Sequence, residues 1–206
     1  ITFGAKDVYF YRNNYLYLYI FGKKYNLKKF KLINNIQKEN LECAIACALA
    51  INISIYKIIN CLHKLKSAPG RFEVINFRKK NSKIVIDYAH TPDALENILK
   101  SFSYDNFKPS LVFGCGGNRD KEKRKKMAIV AKKYSNRVYI TDDNPRYENP
   151  KIIRESIKKY CSKGVIISDR RKAIHEAILK LDVNDILIIA GKGHEKYQLI
   201  KNKKIE

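Results

Sequence analysis

The chain has 206 residues, of which 45% are hydrophobic and 30% are charged, so it can bury a core and is not a disordered protein. Its 42 Lys and Arg against 20 Asp and Glu give a formal net charge of +22. Such an excess can indicate nucleic-acid binding, but the lysines are scattered over every segment, which favours a general composition bias over a binding stripe. No apolar run is long enough to cross a bilayer as a helix, so we expect neither a membrane nor a specific nucleic-acid partner.

The five cysteines form neither a CxxC pair nor a Cys/His spacing typical of a metal site, so we predict no metal ligands in this sequence. Unpaired thiols are typical of proteins kept in a reducing compartment, which predicts a cytoplasmic location. The sequence begins at Ile1 without a Met and ends in KNKKIE, and we therefore expect a fragment.

The first third of the chain predicts a small α/β segment. Residues 1–31 alternate apolar or aromatic residues with polar ones, which predicts two or three antiparallel strands with turns at Asn13-Asn14 and Gly22-Lys23. Helices are predicted at residues 38–50 and 55–66. The following Ser-Ala-Pro-Gly breaks the pattern and predicts a domain boundary after residue 67.

From residue 71 onward, apolar strands alternate with amphipathic helices, which predicts an α/β fold with a mostly parallel sheet and flanking helices. Strands are predicted at 83–87, 111–114, 137–141, 165–168, 186–190 and 197–200, the last as an edge strand. Helices are predicted at 92–103, 121–134, 151–160 and 170–181. We interpret 137–141 as the central strand and the basic run KEKRKK, which starts the second of these helices, as a solvated face.

Four of the predicted strands end in loops whose residues suit ligand binding, and open α/β sheets bind ligands beyond the carboxyl ends of their strands. After the first strand, Asp87 can accept bonds from a ribose diol and Tyr88 can flank a base. His90 in the same loop has two readings that the sequence leaves open, a ligand-binding residue or a histidine of the core or the helix start.

The other three loops together describe a pocket for an amino acid. A glycine-rich loop carries Arg119, and the turn TDDNPR carries Asp143 and Arg146. The last loop, GKGHE, carries Gly191 and Glu195. Arginine forks suit a carboxylate and the acids suit an ammonium group. By itself, the TDDNPR string would more often be a solvated turn, and GKG lacks the GxxxxGK[ST] pattern of a P-loop.

Read together, these stretches resemble the Mur ligase family, and among its members those that add diaminopimelate. The stretches that carry the resemblance are APGRFEVI (68–75), IDYAHTPDAL (86–95), VFGCGGNRDKEKR (112–124), TDDNPR (141–146) and AGKGHEKYQ (190–198). The resemblance covers nearly the whole chain. It implies that residues 1–67 are the end of the family's central ATP-binding domain and that residues 68–206 are its Rossmann-like C-terminal domain, truncated at its end.

The resemblance also implies a function. Such enzymes are ligases that use ATP and Mg²⁺ to phosphorylate the free carboxylate of UDP-MurNAc-L-Ala-D-Glu, after which the amine of meso-diaminopimelate attacks the acyl phosphate. This is a step of peptidoglycan precursor synthesis. The family's P-loop, its metal ligands and its nucleotide-sugar domain are not in this sequence and are expected upstream of Ile1. The fragment alone is therefore expected to be inactive, with no certain catalytic residue, and to be a monomer.

The resemblance assigns two sets of site residues. Those implied to bind meso-diaminopimelate are Arg119, Asp143, Asn144, Pro145, Arg146, Gly191 and Glu195. Those implied to bind ATP are Asn40, Arg71, Asp87, Tyr88 and His90. The first Asn of the family's N-x-x-N helix start is lost here, which weakens the assignment of Asn40.

Three alternatives stay open at this stage. A lysine-adding or folylpolyglutamate-type ligase is disfavoured by Arg146 together with Glu195, because lysine has no distal carboxylate for an arginine to pair with. A basic nucleic-acid-binding protein would show clustered cations among exposed aromatic residues, a pattern that the sequence lacks. A decayed or split gene product without activity is the third alternative.

Overall fold

The structure, a computed structural model, describes residues 8–12, 16–27, 35–77, 80–103 and 107–205. The chain divides into two compact units, Ile1–Lys66 and Ser67–Glu206. Each unit has its own hydrophobic core, and each is described by itself below.

In its described part, the first unit contains an antiparallel meander and two helices. These elements are β1 (Val8–Arg12), β2 (Leu16–Ile20), β3 (Lys23–Asn26), α1 (Asn35–Ala50) and α2 (Ile55–Leu62). The predicted antiparallel strands are thus confirmed, and Phe21 and Gly22 form the β2–β3 turn with φ of 46° and 76°, as a tight hairpin requires. The predicted turn at Asn13-Asn14 lies outside the described residues, which omit positions 13–15. The Ser54 side chain caps α2.

The second unit alternates strands and helices, as predicted. Its strands are β4 (Glu73–Phe77), β5 (Ser82–Asp87), β6 (Ser110–Phe113), β7 (Val138–Ile140), β8 (Val165–Ile166), β9 (Ile186–Ala190), β10 (Gln198–Ile200) and β11 (Lys203–Ile205). Its helices are α3 (Pro92–Lys100), α4 (Glu122–Tyr134), α5 (Pro150–Lys158) and α6 (Arg170–Leu179). Thr91, Asn149 and Asp169 cap three of these helices through their side chains, so the polar residues before them set where the helices begin.

Six of these strands form one sheet in the order β4-β5-β9-β6-β7-β8, in which only β4 runs antiparallel to its neighbour. The predicted mostly parallel sheet is confirmed. The prediction that residues 137–141 form the central strand is wrong. The strand β9 lies between β5 and β6, so β9 and β6 are the two central strands and β7 lies nearer the edge. Every residue of β9 is buried, which is typical of a strand covered on both faces.

Two further strands differ from the prediction. The strand β4 was not predicted, because it is an edge strand whose residues are partly or fully exposed and lack a clear apolar alternation. Residues 198–200 do form a strand, but it pairs with β11 in a separate hairpin instead of extending the edge of the main sheet.

The two faces of the sheet bury separate clusters of apolar side chains. One face packs against α3, α4 and α5 through residues such as Leu95, Met127 and Ile153. The other face packs against α6 through Ala173 and Ala177. Because β5, β9, β6 and β7 are parallel, their carboxyl ends lie at one edge of the sheet, and the four loops singled out in the sequence begin there.

Candidate functional site

Glycines let three of the four loops approach each other closely at this edge of the sheet. A Cβ at Gly114 would overlap the carbonyl of Thr141, and a Cβ at Gly117 would overlap the carbonyl of Pro145. Gly191 adopts a φ of 109°, which L side chains rarely adopt. These glycines therefore bring the chain after β6, β7 and β9 into one cluster of loops.

The turn after β7 is held by its own polar groups and by the β10–β11 hairpin. The Asp143 carboxylate accepts a 2.6 Å bond from the backbone N–H of Asn144. Arg146 has a φ of 52°, its N–H donates to the carbonyl of Leu199 at 3.0 Å, and its carbonyl accepts from the N–H of Lys201 at 2.8 Å. A non-glycine residue in this conformation costs energy and persists only where surrounding bonds fix it.

The Arg146 side chain joins this turn to the glycine-rich loop. Its Nη1 donates to the carbonyl of Gly117 at 3.0 Å and to that of Asn144 at 3.3 Å. A guanidinium has five N–H donors in a planar fork, so these two bonds leave donor capacity on the rest of the group. Arg119 lies on an exposed part of the same glycine-rich loop, and Pro145 is buried in the turn.

Asn144, Lys192 and Glu195 form a closed triangle of hydrogen bonds between the turn after β7 and the loop after β9. Lys192 Nζ lies 2.9 Å from Asn144 Oδ1 and 3.1 Å from Glu195 Oε2, and Asn144 Nδ2 donates to the same Oε2 at 3.2 Å. We call these three residues the polar triangle. Burial by itself raises the pKa of Glu195, but the bonds from Lys192 and Asn144 outweigh it and hold that pKa below its ordinary value. Glu195 is therefore a carboxylate at neutral pH.

Four of the five residues predicted to bind ATP lie around the start of the loop after β5, namely Arg71, Asp87, Tyr88 and His90. Arg71 lies over the Tyr88 ring, 4.2 Å from its centroid, and the His90 ring meets Tyr88 edge-on at 4.7 Å. His90 is exposed, which excludes the reading of this residue as a core histidine. The His194 ring stacks on the Tyr88 ring with a centroid distance of 6.2 Å, so this cluster combines a guanidinium with three aromatic rings.

Asp87 has a structural task in addition to any ligand contact. Its two carboxylate oxygens accept bonds from the backbone N–H groups of Phe72 at 2.8 Å and Ala89 at 2.7 Å. A carboxylate has about four acceptor positions, so these bonds still leave room for a hydroxyl donor. Asp87 thereby fixes the backbone directly after Arg71 and directly after Tyr88.

Asn40 belongs to the first unit, on an exposed position of α1. This helix begins at Asn35, three residues before the predicted start at residue 38, so Asn40 lies in its second turn and not at its beginning.

Sequence reasoning missed several charged residues of this site. Lys192 is only 6% exposed, although the sequence presents it merely as part of an incomplete P-loop pattern. Arg170 at the start of α6 donates to the carbonyl of Ala190 at 2.8 Å, and its Nη1 is buried without a hydrogen-bond partner. Its buried charge interacts with Asp143 and Glu195. Arg170 was predicted only as the first residue of a helix, and no local pattern marks it as a site residue.

The predicted solvated face KEKRKK is wrong at one position. Arg124 is 3% exposed and its Nη2 donates to both oxygens of Glu148 at 2.9 Å, while Glu148 also accepts from the backbone N–H of Asn118. This ion pair braces the glycine-rich loop against the segment that follows the β7 turn. Arg124 is buried, unlike the other basic residues of this run, because it pairs with the Glu148 carboxylate. The pair forms only in the folded chain, so the sequence pattern does not show it.

Within the part of the chain that the structure describes, no three His, Cys, Asp or Glu side chains gather as a metal site. No helix there is sufficiently long and apolar to cross a membrane. The thiols of Cys115 and Cys161 are buried, and burial raises the pKa of Cys115 to about 12, so this thiol stays protonated beside the ligand loops.

Comparison with known proteins now adds to this geometry. Residues 70–193 match the family model described as "Mur ligase, glutamate ligase domain". This chain belongs to the Mur ligase family. Its members are ATP-dependent ligases that form carbon–nitrogen bonds between small-molecule substrates, with Mg²⁺ generally required.

Curated relatives in this family carry one name repeatedly. A UDP-N-acetylmuramoyl-L-alanyl-D-glutamate--2,6-diaminopimelate ligase of Rickettsia bellii is 44% identical over 179 residues, which is 84% of this chain and 37% of that protein. The ligase of the same name from Listeria monocytogenes is 35% identical over 218 residues, which covers 100% of this chain and 44% of that protein. The chain thus spans less than half the length of these Mur ligase relatives.

Solved structures agree on the fold. A structure of UDP-N-acetylmuramoyl-L-alanyl-D-glutamate--2,6-diaminopimelate ligase has a TM-score of 0.62 at 34% identity, covering 97% of this chain and 42% of that one. The Escherichia coli FolC structure with ADP has a TM-score of 0.69 at 16% identity over 91% of this chain and 44% of that one. The second likeness shows the Mur ligase fold alone.

Proposed function

We propose that this chain is part of an ATP-dependent ligase that adds meso-diaminopimelate to UDP-MurNAc-L-Ala-D-Glu through an acyl phosphate. The observation that carries the proposal is the joining of the TDDNPR turn and the GKGHE loop by the Asn144–Glu195 bond at 3.2 Å. This bond places an arginine fork and a carboxylate on the same cluster of loops. The names of the relatives support the choice of substrate.

In this proposal, Arg146 pairs with the distal carboxylate of diaminopimelate and Glu195 accepts from its distal ammonium group. Arg119, exposed on the glycine-rich loop, assists Arg146. Gly191 has to be glycine, because a Cβ there would lie 3.2 Å from Asp143 Oδ2 at a positive φ. Asp143, Asn144 and Pro145 shape the turn that presents Arg146.

ATP is assigned to the cluster around Tyr88. Arg71 and His90 are exposed and suit the phosphates of a nucleotide, whereas Asp87 suits a ribose hydroxyl. Asn40 is kept as the proposed adenine contact on the strength of the resemblance alone, and the start of α1 at Asn35 weakens it.

The chemistry needs activation, because a free carboxylate does not form an amide with an amine at a useful rate. ATP supplies it by phosphorylating that carboxylate. The residues of this chain bind and orient the attacking amino acid and neutralise charge, which is where enzymes gain much of their rate. Among the described residues, no three His, Cys, Asp or Glu side chains gather where Mg²⁺ could bind.

The direct test is a titration of the 206-residue chain with meso-diaminopimelate, followed by amide chemical shifts in NMR, with lysine as the matched ligand that lacks the distal carboxylate. We expect shifts at Asn144, Arg146 and Glu195 with diaminopimelate and much weaker ones with lysine. Equal responses to the two ligands, or shifts only elsewhere, would contradict the proposed pocket.

The reaction itself is tested in a chimera. The matching 179 residues of the Rickettsia bellii ligase are replaced by the aligned 84% of this chain, and phosphate release is measured with each amino acid. We expect release that depends on diaminopimelate and is poor with lysine. A chimera that folds and prefers lysine would identify the lysine-adding alternative.

A further inference from the structure

Lys192 is an unusual lysine, because it is buried and its ammonium group bonds to two residues assigned to the candidate ligand site. Only 6% of its surface is exposed. Removing an ammonium from water is costly unless charged or polar partners compensate. Here Asn144 Oδ1 and Glu195 Oε2 compensate at 2.9 and 3.1 Å, and the Tyr197 ring lies 5.7 Å from Nζ.

The polar triangle leaves the two oxygens of Glu195 in different situations. Oε2 accepts from both Lys192 Nζ and Asn144 Nδ2. Oε1 faces the Tyr88 hydroxyl at 3.5 Å, which is a long and weak contact. The Glu195 side chain is 18% exposed, so the carboxylate can be reached by a ligand, and Oε1 is the oxygen with acceptor capacity.

Both polar atoms of the Asn144 side chain are likewise occupied by hydrogen bonds. Its Oδ1 accepts from Lys192 Nζ and also from the backbone N–H of Leu199 at 2.9 Å. Lys192 therefore links the loop after β9 to the turn after β7 and, through Asn144, to β10. Two bonds from one ammonium group fix both the amide and the carboxylate.

We propose that Lys192 is a positioning residue, a built-in cation that occupies Glu195 Oε2 and so presents Oε1 alone to the ammonium group of the amino-acid substrate. This proposal rests on the proposed function for the identity of that substrate. It deepens the proposed function by giving the two oxygens of Glu195 separate tasks. Lys192 touches no reacting atom and acts through Glu195 and Asn144.

Two further groups interact with Glu195 and also affect its pKa. The Tyr88 hydroxyl approaches it from the loop after β5, and Arg170 of α6 interacts with it electrostatically. Both remain in place when Lys192 is changed, so a shift caused by that change reports on Lys192.

The test compares Lys192→Met with Lys196→Met in the 206-residue chain. Lys196 is an exposed lysine of the same loop and is the matched control. Carbon-13 NMR of labelled glutamate follows the pKa of Glu195, and calorimetry follows meso-diaminopimelate binding across pH. We expect Lys192→Met to raise the pKa of Glu195, because burial then lacks its counter-charge, and to weaken binding by about tenfold or more.

The pH profile separates positioning from mere support of the fold. In the unchanged chain, binding should be lost as pH falls through the low pKa of Glu195, and in Lys192→Met that loss should begin at a higher pH. Lys196→Met should change neither quantity. A folded Lys192→Met with an unaltered Glu195 pKa and unaltered binding would overturn the proposal.

The two proposals fail in different ways. If the unchanged chain binds no diaminopimelate, the proposed function fails at this pocket, while the pKa measurement still decides whether Lys192 holds Glu195. If Lys192→Met does not fold, Lys192→Gln keeps an N–H donor without the charge and takes its place. If that variant also fails to fold, Lys192 is a stability residue and the positioning role is wrong.

Discussion

Arg146 combines a strained backbone with a guanidinium group that is anchored to two carbonyl groups and keeps further N–H donors for a ligand. Its φ of 52° is fixed by backbone bonds to Leu199 and Lys201, and its Nη1 is anchored to two carbonyls. A fork held in this way loses little further freedom when a carboxylate binds, which is the advantage of preorganisation. Strain of this kind is found disproportionately where function requires it.

We predict that Arg146→Ala weakens meso-diaminopimelate binding by about 1.5–3 kcal/mol, the typical contribution of a hydrogen bond to a charged group, or about 10- to 150-fold in Kd. Arg146→Lys should restore binding only in part, since an ammonium group lacks the fork. Nucleotide binding should be nearly unchanged, because the residues assigned to ATP gather around Tyr88. Calorimetry with both ligands measures this, with Arg171→Ala on an exposed position of α6 as the control.

Unchanged diaminopimelate affinity in a folded Arg146→Ala variant would make Arg146 a turn residue only. If Arg146→Ala loses affinity for both diaminopimelate and the nucleotide, the substitution has disrupted the loops as a whole. The Arg171 variant decides whether any arginine removal lowers affinity through the net charge alone.

At the residue scale, the sequence predicted groups that a motif or a strand end singles out, and it missed groups that matter through burial. Arg146 and Glu195 stand in recognisable strings, and their assignment as ligand contacts stays a prediction. Arg124 stands in a basic run, and only the approach of Glu148, 24 residues away, distinguishes it. Lys192 is distinguished by its bond to Asn144, 48 residues away in the turn after β7. Such pairs depend on tertiary contacts, which no local pattern encodes.

At the scale of elements, the site depends on how closely the ends of β6 and β7 approach each other. The Cβ that Gly114 lacks would overlap the Thr141 backbone, whereas a Cβ at Gly116 would meet Arg146 Nη1 at 2.8 Å. Backbone cannot yield without moving a strand, but the end of a flexible side chain can turn away. Neighbouring glycines thus serve different purposes.

We predict that Gly114→Ala lowers the melting temperature strongly, while Gly116→Ala keeps the fold and weakens diaminopimelate binding by displacing Arg146. Overpacking of a close contact typically costs about 1–3 kcal/mol. Thermal unfolding followed by circular dichroism, together with calorimetry on the folded variants, measures both effects. The prediction fails if the two alanine variants behave alike.

The Arg124–Glu148 pair is a second inter-element contact with a measurable consequence. Burial by itself raises the pKa of Glu148, but the N–H of Asn118 and the Arg124 guanidinium outweigh it and hold that pKa below the ordinary 4.5. A carboxyl whose pKa is depressed on folding adds stability above its unfolded pKa and loses it as pH falls through the folded one. The contribution of Glu148 should therefore be complete at neutral pH and vanish in acid.

We predict that Glu148→Gln lowers the free energy of unfolding at neutral pH by about 1–3 kcal/mol and flattens its dependence on pH below 4.5. Urea unfolding at a series of pH values measures this. Glu155→Gln is the control, because Glu155 is 56% exposed and its contact with Lys151 is 3.9 Å long. If the free energy of unfolding depends on pH equally in the unchanged chain and in Glu148→Gln, the ion pair does not cause that pH dependence.

Element order and the parallel sheet followed from the sequence, because buried strands and amphipathic helices have distinct periodicities. Strand order did not follow. The strand β9 comes last in the six-stranded sheet along the chain yet sits between β5 and β6, and hydrophobic patterning alone cannot tell a central buried strand from its buried neighbours. The edge strand β4 was missed for the converse reason, since partial exposure removes the pattern.

At the scale of the whole molecule, the charge of +22 is the feature that the proposed ligase function does not require. Lysines occur on exposed positions of α2, α3, α4, α5 and α6 and of the β10–β11 hairpin. Several of them lie over aromatic rings within their own neighbourhood, such as Lys100 and Lys133 over Tyr134. Charge spread in this manner attracts any polyanion without selecting one.

We predict that the chain binds duplex DNA weakly, without sequence preference and only at low salt. Binding of this kind arises from counterion release, so its affinity should fall steeply between about 50 and 200 mM salt. Fluorescence anisotropy with two labelled duplexes of unrelated sequence measures it, and a single-stranded probe tests for base stacking on aromatic side chains, which would leave binding that salt does not abolish. The two duplexes should give the same affinity at each salt concentration, and both should be lost at about physiological ionic strength. Tight and sequence-selective binding at that ionic strength would show that the positive charge is a recognition surface, and it would return the nucleic-acid-binding alternative to first place.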